Sequence, residues 1–173
     1  YFENSVYQPK VLVDEAHNLI SRSKEMYSAV LTEEDLRILR KALTGLKPLI
    51  HSDCNKAIER LNSYRELLAE TTIYVNQALD TELITILKTI LTKCDTIFID
   101  NKKIAHKDEA LEIYFKILNF IQISTYFGPT HRFIAKLEQD IIQVSMMCLD
   151  ASVFLLETIE SSIKGIVFFS ATL

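Results

Sequence analysis

Two adjacent carboxylates and a histidine, Asp14, Glu15 and His17, follow the apolar run Val11-Leu12-Val13. Residues of these types at this spacing suit phosphoryl transfer. In such sites a carboxylate leaving a strand holds Mg²⁺ against the β- and γ-phosphates of ATP, and a second polar group orients the attacking water. The spacing predicts Asp14 as the magnesium ligand and Glu15 as the group that activates water. Acidic residues after a strand also describe ordinary strand-to-turn junctions, so the heptad needs support from elsewhere in the chain.

The element that must position these side chains is a strand over Lys10 to Val13. Its apolar run suits a strand buried on both faces of a parallel sheet, where ligands gather beyond the carboxyl ends of the strands. Residues Tyr1 to Pro9 read as an extended approach to it. After His17 the pattern turns helical. Thr32-Glu33-Glu34-Asp35 is a helix start, with a hydroxyl for the free amides and carboxylates for the dipole. Leu36, Leu39 and Leu43 mark its buried face, and Gly45 ends it. Pro48 suits the first turn of a long helix that runs to about Gln77. Another begins at Asp80-Thr81 and carries Leu83, Ile84, Leu87, Ile90, Leu91 and Cys94. Phe98 to Lys107 reads as an exposed basic connection, and a further helix runs from Asp108 to about Tyr126.

Beyond Gly128-Pro129 the period changes. Phe133, Ala135 and Leu137 alternate with their neighbours, Glu138-Gln139-Asp140 is polar, and Ile142, Val144, Met146 and Cys148 alternate again. A β-hairpin near 131–148 fits this best, with a single helix from Phe133 to Leu149 as the competing reading. Asp150 caps a short helix, and Gly165 opens a last strand through Phe169. The fold class is thus mainly α with a small β part (α+β).

The chain has 173 residues, of which 49% are hydrophobic, which suits one globular domain with a sizeable core. No apolar run approaches the roughly 18 residues of a membrane span, and the first residues lack the pattern of a signal peptide. A net charge of −4 argues against a surface that tracks nucleic acid throughout, although a local basic stripe remains compatible. Cys54, Cys94 and Cys148 are odd in number and widely spaced, so the expectation is three buried thiols rather than a disulfide or metal framework.

The last strand ends in Ser170-Ala171-Thr172-Leu173. A strand followed by Asp14-Glu15-Ala16-His17, paired with a strand followed by Ser170-Ala171-Thr172, resembles motifs II and III of superfamily 2 helicases. With Asn18-Leu19 after the first motif and Cys148-Leu149-Asp150-Ala151-Ser152 shortly before the second, the chain is similar to the XPD/DinG type. Those enzymes carry a helical insertion, the Arch domain, between these motifs. The resemblance implies two parallel strands of a RecA-like motor domain, residues 1–27 and 149–173, around an Arch-type insertion, residues 28–148, whose helical part spans Ser28 to Gly128.

That family implies an ATP-dependent 5′-to-3′ DNA helicase of repair or replication, bacterial, cytoplasmic and nucleoid-associated, with ATP and Mg²⁺ as cofactors. Asp14 would hold Mg²⁺ and Glu15 would activate water. His17 would relay nucleotide state, while Ser170 and Thr172 would couple hydrolysis to strand movement. Partners would be single-stranded or forked DNA and the remaining helicase domains of a longer parent chain. No Gly-x-x-x-x-Gly-Lys loop occurs among the three glycines, so this piece alone is expected to be catalytically silent. A 4Fe-4S cluster could belong to the parent, but no cysteine here matches its ligands. For DNA, the candidate contacts are Lys102, Lys103, His106 and Lys107, with Arg37, Arg40 and Lys41 as a second cluster. Tyr114, Phe115, Tyr126 and Phe127 read as core. A protein-interaction module that regulates a helicase motor is the alternative.

Overall fold

Alternation from His131 to Cys148 folds as the expected hairpin, β4 (His131–Glu138) against β5 (Ile141–Cys148), in the computed structural model. The structure describes residues 9–46, 48–100, 104 and 106–171, with the side chains of residues 48 and 49 excluded. Gln139 and Asp140 form the hairpin turn, both in the left-handed region at φ 50° and 64°. A two-residue turn of this hand matches the twist of the flanking strands. Neither residue is glycine, and Arg65 pins the turn from outside by donating to Asp140 Oδ1 at 2.8 Å and to its carbonyl at 2.7 Å.

Two short strands extend the hairpin into a four-stranded antiparallel sheet of order β2-β5-β4-β3. These are β2 (Ala29–Thr32) and β3 (Ile73–Asn76), and neither is foreshadowed by the sequence pattern. The long helix expected to reach Gln77 stops earlier. It forms α3 (Pro48–Asn62) and a single turn, α4 (Tyr64–Leu67), before the chain straightens into β3. Ile73 and Val75 continue the apolar pattern, but their β-branched side chains suit a pleated surface and face outward there. The fold is therefore mixed α+β, with more sheet than expected.

One face of this sheet is covered by α2 (Glu33–Ala42), α3 and α6 (Lys107–Ser124), and α5 (Thr81–Ile99) packs on α3 and α6. Leu31, Phe133, Ala135, Val144 and Met146 from the sheet meet Leu36, Leu39, Leu61, Leu87 and Phe120 from the helices in one core. Phe98 lies inside α5 rather than in an exposed connection, with its ring edge-on to Tyr114 at 5.4 Å. Phe115 points to solvent, contrary to the core reading, while Tyr114 and Phe127 pack against the core.

Local chemistry fixes the helix starts. Thr32 and Asp35 make a reciprocal capping box: Asp35 N–H donates to Thr32 Oγ1 at 3.1 Å and Thr32 N–H donates to Asp35 Oδ2 at 2.9 Å. Such a cap contributes about 1 kcal/mol. Asp80 opens α5 by accepting from Leu83 N–H at 3.0 Å. Its other oxygen accepts from Tyr64 Oη at 2.6 Å and Arg60 Nε at 2.9 Å. Glu33 is buried, and burial alone would raise its pKa. Hydrogen bonds from Arg37 and Asn62, with Arg65 behind them, outweigh that and hold it below the usual glutamate value.

The remaining strands form a separate sheet. β1 (Lys10–Val13) and β6 (Gly165–Phe168) pair in parallel, Lys10 opposite Gly165 and Val13 opposite Phe168. Between them in sequence lie all the elements above, entered through α1 (Leu19–Met26) and left through α7 (Ser152–Ser162). Burial of these two strands on both faces is not what the structure shows. Leu12 is 72% exposed and its cross-strand partner Val167 is 57% exposed. Parallel strands ordinarily have both faces covered, whereas here Val11, Val13 and Ile166 are half-buried and the face of Leu12 and Val167 stays open.

Candidate active site

Parallel pairing in register carries the carboxyl ends of β1 and β6 to the same edge, so the two sequence motifs meet although more than a hundred residues separate them. Backbone bonds continue past the strands. Phe169 N–H donates to the Val13 carbonyl at 3.0 Å, and Ala16 N–H donates to the Phe169 carbonyl at 3.1 Å. Glu15 turns the chain in the left-handed region at φ 53°, an uncommon conformation for a residue with a Cβ. Asp14 Oδ1 accepts the Glu15 N–H at 2.7 Å, and the 3₁₀ turn Ala16–Asn18 follows.

His17 Nδ1 then lies 2.7 Å from Ser170 Oγ and 3.2 Å from Glu15 Oε2. When Nδ1 carries the proton it donates toward both oxygens. When it does not, the Ser170 hydroxyl donates to it. Both partners converge on one ring nitrogen, so this is not a Ser-His-acid relay, in which the two nitrogens of the imidazole serve different partners. The arrangement instead links the acidic turn after β1 to the hydroxyl after β6. Asp14, Glu15 and His17 are exposed and Ser170 is half-buried, so the edge is open to a ligand.

Among the described residues no group of three or more His, Cys, Asp or Glu side chains converges as a metal site. Asp14, exposed at this edge, could supply one carboxylate to Mg²⁺, which takes its remaining oxygens from waters and substrate phosphates. Asp14 has one carboxylate oxygen not engaged by Glu15. The cysteines are free and buried, as expected, and burial pushes Cys54 and Cys94 up to about 12. Thr172, Lys102 and Lys103 lie outside the described residues.

Glu109 links the α2 cluster to His106 at the start of α6, which their separation in sequence gave no means of foreseeing. Arg37, Arg40 and Lys41 of α2 line a groove of about 400 Å³ with Thr44 and with Glu109 from α6. His106 Nδ1, at the start of α6, lies 3.4 Å from that same Glu109. Lys107 follows it. Arg37 is tied to Glu33, and Arg40 donates to Asn55 Oδ1 at 2.6 Å. Lys41 and Lys107 are exposed.

A third group was not anticipated. His131, fully buried at the start of β4, joins the rings of Tyr27, Tyr126, Phe127 and Phe154. Its Nε2 faces the Tyr27 carbonyl at 3.1 Å, so that nitrogen carries the proton, and Nδ1 accepts from the Thr130 hydroxyl at 3.2 Å. Extending the alternation of Phe133 and Ala135 back by two residues would have placed His131 in the core.

Burial lowers the His131 pKa, partly opposed by the hydrogen bond to Tyr27. The unfolded chain therefore takes up this proton at higher pH than the folded one, and stability is full above about pH 6.5 and falls as the pH drops below it. Urea unfolding between pH 7.5 and 5.5 should show this slope in the parent chain and a flatter one in His131→Gln; equal slopes would remove His131 as its source.

Compared with models of known protein families and with curated proteins, the chain matches none.

Proposed function

We propose that this chain is the part of an XPD/DinG-type helicase motor that runs from motif II to motif III, with an Arch-type insertion between them. The observation that carries this reading is the 2.7 Å contact between His17 and Ser170 at the carboxyl edge of a parallel strand pair. A helical signalling domain with both motifs by coincidence has no reason to bring them into contact. The exposed faces of β1 and β6 add support, since a larger parallel sheet would cover them.

In this reading Asp14 holds Mg²⁺, which neutralises charge developing on the phosphates of ATP when bound. Glu15 accepts the proton of the attacking water. His17 meets Glu15 and Ser170 through the same ring nitrogen and relays the nucleotide state between them, and Thr172 follows in the same motif. Hydrolysis belongs to the complete polypeptide, a 5′-to-3′ DNA helicase of repair or replication in a bacterial cytoplasm, working at the nucleoid. A 4Fe-4S cluster, if present, is held by cysteines outside this chain. The test is to sequence the gene upstream of the Tyr1 codon and assay its full product. A glycine-rich loop with a lysine, together with DNA-stimulated ATP hydrolysis, is expected. A complete gene lacking that loop would overturn the assignment.

The insertion contacts single-stranded DNA through the groove of Arg37, Arg40 and Lys41, with His106 and Lys107 beside it and Lys102 and Lys103 on the connection before them. Binding of a fluorescent oligonucleotide by the 173-residue chain should weaken with salt, with a log-log slope of about −2 to −3 for three or four phosphate contacts. Lys41→Ala and Lys107→Ala should each reduce that slope by about 0.7. A second reading, a protein-interaction module that regulates a helicase motor, is favoured by the outer face of the four-stranded sheet. There Val30, Ile73, Ile134 and Met147 line an apolar groove of about 620 Å³. Absence of oligonucleotide binding at low salt would move the assignment to that reading.

A further inference from the structure

The chain crosses between its two sheets twice, and both crossings pass through one neck. Ser28 Oγ, just after α1, accepts Cys148 N–H at 2.9 Å, and Leu149 N–H donates to the Thr130 carbonyl at 2.8 Å. Over this neck, Tyr27 at the end of α1 stacks on Phe154 of α7 with centroids 4.4 Å apart. His131 touches both. It holds the Tyr27 carbonyl at 3.1 Å and its ring lies 5.8 Å from Phe154.

These contacts have a mechanical consequence. α1 begins just after His17 and α7 leads into the strand before Ser170, so the two helices are levers attached to the two sides of the candidate active site. α1 has eight residues and is about 12 Å long. A change in the spacing of His17 and Ser170 moves α1 against α7, and close-packed rings take up such a movement by repacking rather than by compression. Two side chains of the inserted unit span both levers: Tyr126, whose ring lies 5.3 Å from Tyr27 and 5.6 Å from Phe154, and His131, the one of the two that also ties the Tyr27 backbone by a hydrogen bond.

We propose that His131 is a positioning residue. It is the pin through which the contact between His17 and Ser170 sets the orientation of the inserted unit. The proposal rests on the motor reading for its purpose, but its test needs no nucleotide. A failure here would leave ATP hydrolysis by the complete gene product untouched, and the converse holds too.

The experiment places spin labels on cysteines introduced at the exposed positions Glu160 in α7 and Lys88 in α5, in the 173-residue chain. The native thiols are buried and protonated and should not compete for label. Ser170→Ala is expected to broaden the label-to-label distance distribution or shift it by roughly 2 Å, the scale of helix displacement at packed interfaces. In a His131→Phe background the same substitution should produce no further change. His131→Gln, which keeps a donor for the Tyr27 carbonyl, should restore the response. An unchanged distribution in Ser170→Ala overturns the proposal, as does an equal response with His131→Phe. If circular dichroism shows that His131→Phe does not fold, Phe154→Leu takes its place and is judged by the same two outcomes.

Discussion

Glu15→Gln in the complete gene product is expected to lower ATP turnover about 10³-fold, within the range for loss of a positioned general base. Glutamine matches glutamate in size and can occupy the same turn, so the loss isolates the carboxylate's proton-accepting role. The KM for ATP should change little, because the substitution removes an interaction made in the transition state rather than one made to the ground state. Asp14→Asn should behave differently and raise the Mg²⁺ concentration needed for half-maximal rate. Phosphate release measured across a magnesium titration separates the two. A Glu15→Gln protein that hydrolyses ATP at the parent rate would sink the assignment of roles.

The largest effect on stability is expected from Asp80→Ala, at about 3 kcal/mol, in the range for removing one partner of a buried charged network. Three donors lose their acceptor together: the Leu83 amide at the start of α5, the buried Tyr64 hydroxyl and the Arg60 guanidinium. Their shares differ. Arg60 is 32% exposed and can turn to water, which limits its part. Tyr64 is buried and its hydroxyl would be left without a partner. Its pKa is raised, first by burial and then by the hydrogen bond to Asp80, so it stays a donor throughout the working pH range. Asp80→Asn retains a side-chain oxygen and should cost roughly half as much. A thermal midpoint lowered by roughly 10 °C is expected for Asp80→Ala. Equal losses for the two variants would show that the charge, not the acceptor geometry, is what matters.

The features legible in the sequence are those whose signals are local. Thr32 caps α2 as its place before Glu33-Glu34-Asp35 required, and Asp35, three residues on, closes a reciprocal box with it. The hairpin was readable because alternation over 131–148 continues through both strands. The boundary at Tyr64 was not readable, since Leu61, Tyr64 and Leu68 keep a helical period while the chain is already leaving the helix. What ends it is tertiary. Tyr64 is drawn to Asp80 and Phe133, and β3 gains a ladder of backbone bonds with β4. At the candidate site, residue types and spacing pointed to Asp14 and Glu15, whereas the roles of His17 and Ser170 and the parallel pairing of their strands were expected from the helicase resemblance alone. Sharing of one His17 nitrogen by Glu15 and Ser170 is a matter of side-chain geometry that spacing does not encode. Nor does spacing tell that Glu109, the partner of His106 at the start of α6, lines the same groove as the basic side chains of α2.

The neck at Ser28 and Cys148 also bears on how the chain folds. Pairing β1 with β6 directly would close a loop of roughly 150 residues, and long loops of this kind slow folding because their entropy is lost before contacts compensate it. If the intervening unit folds first, its two ends already lie side by side at the neck. The remaining closure then spans only the short arms on either side, which lowers its entropic cost by about 1 kcal/mol. An order of events follows: the inner sheet and its helices assemble early, and the edge that carries Asp14 and Ser170 is completed last. The same adjacency means that the unit could be excised and its ends rejoined by a short turn without moving β1 from β6. The part that would hydrolyse nucleotide and the part that would touch DNA are therefore separable in the fold, joined where two strands cross.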